Sequence, residues 1–260
     1  MNTTTPPTSQ PVLEMSGVSV GSTEDSSVPV LENVNWTVSA GEYWVIGGMH
    51  GSGKSALLTI AAGLAAPLAG ECRIFGRPLE FGNDALLPER LRMGLVFQDG
   101  QLFQRLSVAE NVALPLQYHR KLSQAEIGSK VGEILERMDL TRFAAAPAGT
   151  LSRNWRKRAG LARALALEPE LLFLDDPLGS LDLRHAQWWL KFLAELAEKS
   201  RAGNAQMTFI ATTGDLRPWQ DRGTHFAILQ QGHMTVLGHR PCLSEINDPL
   251  VSELMGAVEL

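Results

Sequence analysis

The chain has 260 residues, 44% of them hydrophobic and 20% charged, enough for one large folded domain or two merged ones and too apolar for a disordered chain. Its 23 Lys and Arg against 28 Asp and Glu give a net charge of −5, without the basic surplus of a general nucleic-acid binder. Cys72 and Cys242 are too few for a disulfide framework and suit a reducing compartment.

The start, MNTTTPPTSQP, is polar, carries no Lys or Arg and has no apolar stretch, so it does not read as a secretory signal. Residues 1–11 read as a flexible N-terminal arm and 12–260 as the folded body. Val12 to Val20 and Val30 to Val38 alternate polar and apolar residues around GSTEDSSVP, which predicts an antiparallel hairpin. Tyr43 to Gly47 is a short buried-type strand, followed by helical sequence from Lys54. The longest mostly apolar stretch, Ala56 to Ala69, is interrupted by Gly63 and Pro67 and falls short of the roughly 20 residues a membrane span needs.

Further buried-type strands follow at Leu95 to Phe97, Leu171 to Leu174, Phe209 to Ala211 and Phe226 to Leu229. Residues 101–168 hold almost no strand-like sequence. Ser123-Gln-Ala-Glu126 has capping-box form, and Ile127, Val131, Ile134, Leu135 and Met138 repeat at helical spacing behind it. A second helix is predicted from near Ser152 to Leu167, ahead of Glu168-Pro169. The chain therefore reads as α/β, with a largely parallel core over 12–98 and 169–260, added antiparallel strands, and a helical insertion over 99–168.

Gly48-Met-His-Gly-Ser-Gly-Lys54-Ser55 fits G-x-x-x-x-G-K-[ST] and stands between a predicted strand and a helix. Glycines let the backbone curl so that several N–H groups converge on one phosphate, and the helix N-terminus adds its dipole. Gly48, Met49, His50, Gly51, Ser52, Gly53, Lys54, Ser55 and Ala56 form the candidate nucleotide-binding set. Lys54 would reach the β and γ phosphates and Ser55 would ligate Mg²⁺, while His50 holds a variable loop position. Leu171-Leu-Phe-Leu-Asp175-Asp176 is an apolar strand ending in acids, which predicts Asp175 as a second Mg²⁺ ligand beside the loop. Together the two motifs predict a site for ATP with Mg²⁺.

With Val96-Phe97-Gln98, Leu151-Ser152, Arg158-Ala-Gly-Leu-Ala-Arg163 and Gly179-Ser-Leu-Asp182 in that order, nearly the whole chain resembles the ATPase subunits of ABC transporters. The resemblance implies a P-loop (RecA-like) core with an antiparallel β subdomain and a helical subdomain. Gln98 becomes the Q-loop glutamine, which meets Mg²⁺ and the attacking water and senses a transmembrane partner. Ser152 opens the signature, which approaches the γ-phosphate of a nucleotide held by the opposite subunit, and Asp176 stands where a catalytic acid follows the Walker B Asp175. The implied catalytic set is Asp176, Gln98, Lys54 and Ser152, and the implied metal set is Ser55, Gln98 and Asp175. The implied partners are transmembrane permease subunits and a second ATPase, identical or different, with no nucleic acid. The implied place is the cytoplasm, on the inner face of the membrane and held there only through partners.

Val96-Phe-Gln-Asp-Gly-Gln-Leu-Phe103, Ala109-Glu-Asn-Val-Ala-Leu-Pro-Leu116 and Asp248-Pro-Leu-Val-Ser-Glu-Leu-Met-Gly256 look most like the Mla-type (mce-linked) phospholipid transport ATPases, implying a lipid cargo. The chain departs from the family pattern at its catalytic parts. The signature Leu-Ser-Gly-Gly-Gln is here Leu151-Ser152-Arg153-Asn154-Trp155, the catalytic Glu is Asp176, the switch His aligns with Gly214, and the adenine-stacking aromatic aligns near Ser22. These departures imply either a weakened motor or its alternative, a regulatory subunit that binds ATP, hydrolyses it poorly and pairs with an active ATPase.

Overall fold

The computed structural model describes residues 11–80, 82–202 and 206–256. The strands are β1 (Pro11–Gly21), β2 (Pro29–Ser39), β3 (Tyr43–Gly48), β4 (Ala69–Ile74), β5 (Arg77–Pro78), β6 (Met93–Val96), β7 (Leu171–Leu174), β8 (Thr208–Thr213), β9 (His225–Gln230) and β10 (His233–His239). The helices are α1 (Lys54–Ala61), α2 (Leu87–Arg90), α3 (Val108–His119), α4 (Gln124–Arg137), α5 (Arg153–Leu165), α6 (Leu183–Ala202) and α7 (Pro249–Leu254).

Two sheets result. One has the order β2-β1-β4-β5 and is antiparallel; the other has the order β10-β9-β3-β8-β7-β6, parallel except for the edge strand β10. The parallel strands read as continuous apolar runs because both of their faces are covered. Along β3, Tyr43 and Val45 point into a core shared with the helices, while Trp44 and Ile46 point into a second core shared with α1 and the antiparallel sheet. The strand's period of two thus divides one short sequence between two hydrophobic layers.

Pro11, read from the sequence as the end of the arm, is the first residue of β1 and pairs with Ser39. Residues 1–10 lie outside the described residues. The signature-region helix stops at Leu165, two residues earlier than expected, because Glu168 takes a left-handed φ of 58° ahead of Pro169.

The sequence reading missed α3. Its signal was present: Ser107 and Glu110 form a complete capping box, with the Glu110 amide donating to Ser107 Oγ at 3.1 Å and the Ser107 amide donating to Glu110 Oε2 at 2.7 Å. Pro115 inside the helix masks it. Asn111, fully buried on this helix, fastens the loop that leads on from Gln98. Its amide nitrogen donates to the carbonyls of Ser107 at 2.9 Å, Phe103 at 3.0 Å and Leu106 at 3.3 Å, and its oxygen accepts from the Phe103 amide at 2.8 Å. Asn111→Ala is expected to cost about 2 kcal/mol, since it orphans the Phe103 N–H, and to lower the melting temperature by about 5 °C. Asn111→Asp should cost more, because its carboxylate would face three carbonyl oxygens. Melting curves equal to wild type for both variants would refute this role.

Candidate nucleotide site

β3 ends in the phosphate loop, and α1 begins from it. Gly51 and Gly53 take φ of 78° and 92°, conformations that a side chain would strain. Gly53 caps α1 without a side chain to accept from its first turn, so those amides stay available to an anion. Lys54 Nζ folds back over the loop and donates to the carbonyls of Gly48 at 2.6 Å and Met49 at 2.7 Å. Burial pulls its pKa down, and the carboxylates of Asp176 and Asp175 pull it back up.

β7 lies two strands from β3, with β8 between them, and delivers Asp175 to the same sheet edge. Ser55 Oγ donates to Asp175 Oδ1 at 3.0 Å, and Thr212 Oγ1 donates to the same oxygen at 3.0 Å. Burial raises the Asp175 pKa, and these two hydroxyls oppose the rise. Gln98, just past β6, donates from Nε2 to Asp176 Oδ2 at 3.2 Å. The Asp176 amide donates to Thr212 Oγ1 at 3.0 Å. Thr212 was not picked out from the sequence. β8 holds three buried threonines, Thr208, Thr212 and Thr213, and nothing in the residue pattern singles out this one.

A cleft of about 660 Å³ collects nearly all of the sequence-predicted residues: Gly48 through Ala56, Gln98, Asp175 and Asp176 line it. Gly214, Ser22, Thr23, Glu24 and Val30 line it as well. No Phe, Tyr or Trp is among the described residues that line it. The hydroxyl, carboxylate and amide donors inside suit a hard divalent cation bound with phosphate.

Ser152 does not join this cleft. It sits exposed at the start of α5, and its hydroxyl makes no capping bond. Its altered neighbours are tied down within the chain. Asn154 Nδ2 donates to Asp182 Oδ2 at 2.8 Å. The Trp155 ring packs 4.9 Å from Phe143 and 4.9 Å from His185, with the guanidinium of Arg158 at 4.7 Å and that of Arg142 at 4.9 Å. Arg158 lies between Trp155 and Trp188 and pairs with Asp139 at 3.1 Å. Arg153 pairs with Asp99 at 2.7 Å, so both Arg153 and Arg158 are engaged within the chain.

A family model described as ABC transporter matches residues 31–179. The chain is similar to the taurine import ATP-binding protein TauB of Sinorhizobium fredii, 37% identical over 69% of this chain and 64% of that protein. It is also similar to the sulfate/thiosulfate import ATP-binding protein CysA of Mycolicibacterium paratuberculosis, 35% identical over 80% of this chain and 55% of that one. The chain thus spans less than two thirds of the length of either curated relative. Among solved structures, a dimeric ATP-binding cassette in a post-hydrolysis state with ADP and Pi superposes with a TM-score of 0.76, at 29% identity over 86% of this chain and 98% of that one. The two curated relatives are named for taurine and for sulfate or thiosulfate, so the expected lipid cargo finds no support in them.

Proposed function

Because the chain belongs to the ABC transporter family, we propose that it is the nucleotide-binding subunit of a membrane transporter, one that binds Mg-ATP tightly and hydrolyses it slowly. The observation that carries this reading is the convergence of Lys54, Ser55, Gln98, Asp175 and Asp176 on one cleft at the end of the parallel strands. Ser55 and Asp175, with Gln98 beside them, would hold Mg²⁺, which when bound supplies positive charge to the phosphate oxygens. Lys54 and the loop amides bind and orient the triphosphate. Asp176 accepts the proton of the attacking water, and Gln98 orients that water.

Slow turnover follows from what the cleft lacks. Asp176 is one methylene shorter than Glu, and a misplacement of about 1 Å can cost ~10²-fold in rate. Gly214 offers no imidazole to the γ-phosphate. Ser152 lies outside this chain's own cleft, which supports a second cassette as its destination, and one structural relative is dimeric. No helix among the described residues is long and apolar enough to cross a membrane. A permease would therefore supply the membrane part. It would be met by the apolar groove of Met93, Leu106 and Leu114, flanked by Phe103 at 61% and Tyr118 at 78% exposure. Its cargo is proposed to be a small solute carried inward, the direction stated in both relatives' names.

Titration with a fluorescent ATP analogue and steady-state phosphate release test the reading on the purified chain. Binding is expected to require Mg²⁺, with turnover well below one per second. Brisk turnover by this chain alone would remove the slow-site reading, and absence of binding would remove the nucleotide site. If a purified complex contains a second cassette, most turnover should depend on that partner's phosphate-loop lysine rather than on Lys54.

A further inference from the structure

Helix α5 reaches the cleft from behind through one buried cation. Lys157 is 1% exposed, and its ammonium points into the turn that follows β7. Nζ donates there to the carbonyls of Gly179 at 2.7 Å, Asp176 at 2.9 Å and Pro177 at 3.4 Å. An ammonium has three N–H donors, so these carbonyls use its whole capacity. Burial brings its pKa down to about 8, opposed mainly by the Asp176 carboxylate, so the group keeps its charge at neutral pH.

The turn needs such a hold. Asp176 takes φ of 42°, a region that residues other than glycine rarely occupy. Four hydrogen bonds fix it: its amide donates to Thr212 Oγ1, its carbonyl accepts from Lys157 and from the Gly179 amide at 3.1 Å, and its carboxylate accepts from Gln98. The carboxylate fits only because residue 179 is glycine, since a Cβ there would lie 1.8 Å from Asp176 Oδ2. The carbonyl of that same glycine makes the shortest of the Lys157 bonds. Helix α5 also presses on the loop that carries Gln98, where a Cβ on Gly160 would fall 2.8 Å from the Gly100 Cα. One helix therefore braces both partners of the Gln98–Asp176 hydrogen bond.

We propose that Lys157 is a positioning residue for ATP hydrolysis, pinning the 176–179 turn so that the Asp176 carboxylate faces Gln98 in the cleft. The proposal rests on reading Asp176 as the proton acceptor. It also makes the attitude of the signature helix a determinant of catalysis in this chain's own cleft, through a side chain that does not line it.

The test uses the full chain as wild type, Lys157→Met, Lys157→Gln, Asp176→Asn, and the double variant Lys157→Met with Asp176→Asn. The readouts are the Kd for a fluorescent ATP analogue with Mg²⁺ and the KM and kcat for phosphate release. Lys157→Met should leave Kd and KM within twofold and lower kcat at least tenfold. Lys157→Gln, which keeps two donors, should recover part of that loss. Lys157→Met should cost nothing further once Asp176 is Asn, because groups acting as one unit are not additive. The proposal is overturned if Lys157→Met keeps full kcat while Asp176→Asn loses it, or if Lys157→Met costs the same factor in both backgrounds. If the Met variant does not fold, Lys157→Gln decides alone: a fall in kcat at unchanged KM supports the proposal, and a parallel rise in Kd and KM overturns it. Undiminished kcat in Asp176→Asn removes the proton-acceptor reading itself, and the proposal with it.

Discussion

Exchange of Lys54 for alanine is expected to weaken Mg-ATP binding by about 10- to 100-fold, the range set by losing charge-assisted hydrogen bonds of roughly 1.5–3 kcal/mol. Lys54 is the only lysine or arginine among the described residues that line the cleft. Its ammonium already lies over the phosphate loop, held by the carbonyls of Gly48 and Met49, so little ordering remains to be done when phosphate arrives. Burial makes the charge costly when it is unpaired, and an anion relieves that cost. His50→Ala should change affinity less than twofold, because His50 is exposed and, among the described residues, makes no hydrogen bond to the phosphate loop or to Lys54, which carries the charge. A fluorescent-analogue titration checks both variants, and equal affinity for Lys54→Ala and wild type would end the phosphate-loop assignment.

The second large effect is a gain. Gly214→His is expected to raise ATP turnover by about 10²-fold, the scale on which one donor to a developing oxyanion acts. The site has room for it. A Cβ on Gly214 would meet only the Gly48 carbonyl, at 4.0 Å, and that neighbour places the new side chain at the mouth of the phosphate loop. Asp176→Glu should help less. It restores reach toward the water, but glutamate tolerates the left-handed backbone at this position less well than aspartate, at a cost of about 1 kcal/mol. The two changes together should exceed either one, with a coupling that is not additive, because both act on the same γ-phosphate and water. Steady-state phosphate release separates the cases. No gain from any of the three variants would mean that Asp176 already serves this site well and that the substitutions do not limit it.

The chemistry of the cleft was legible in the sequence wherever it is local. Glycines at Gly48, Gly51 and Gly53 ahead of Lys54-Ser55 specify a phosphate loop through backbone geometry alone. An apolar strand that ends in Asp175-Asp176 specifies acids at a sheet edge, because a strand buried on both faces can place charge only at its end. The hairpin of β1 and β2 and the helix α4 were equally local, written in periods of two and 3.6 and in the Ser123–Glu126 capping box. Tertiary structure alone decided the remainder. Thr212 joins Asp175 to the Asp176 amide only because β8 lies beside β7 in the sheet. Lys157 sits in a run of basic residues behind Ser152, and the fold buries it. Its acceptors are backbone carbonyls 19 to 22 residues further along. Every residue type carries a carbonyl, so no pattern of side chains could have announced where that ammonium goes.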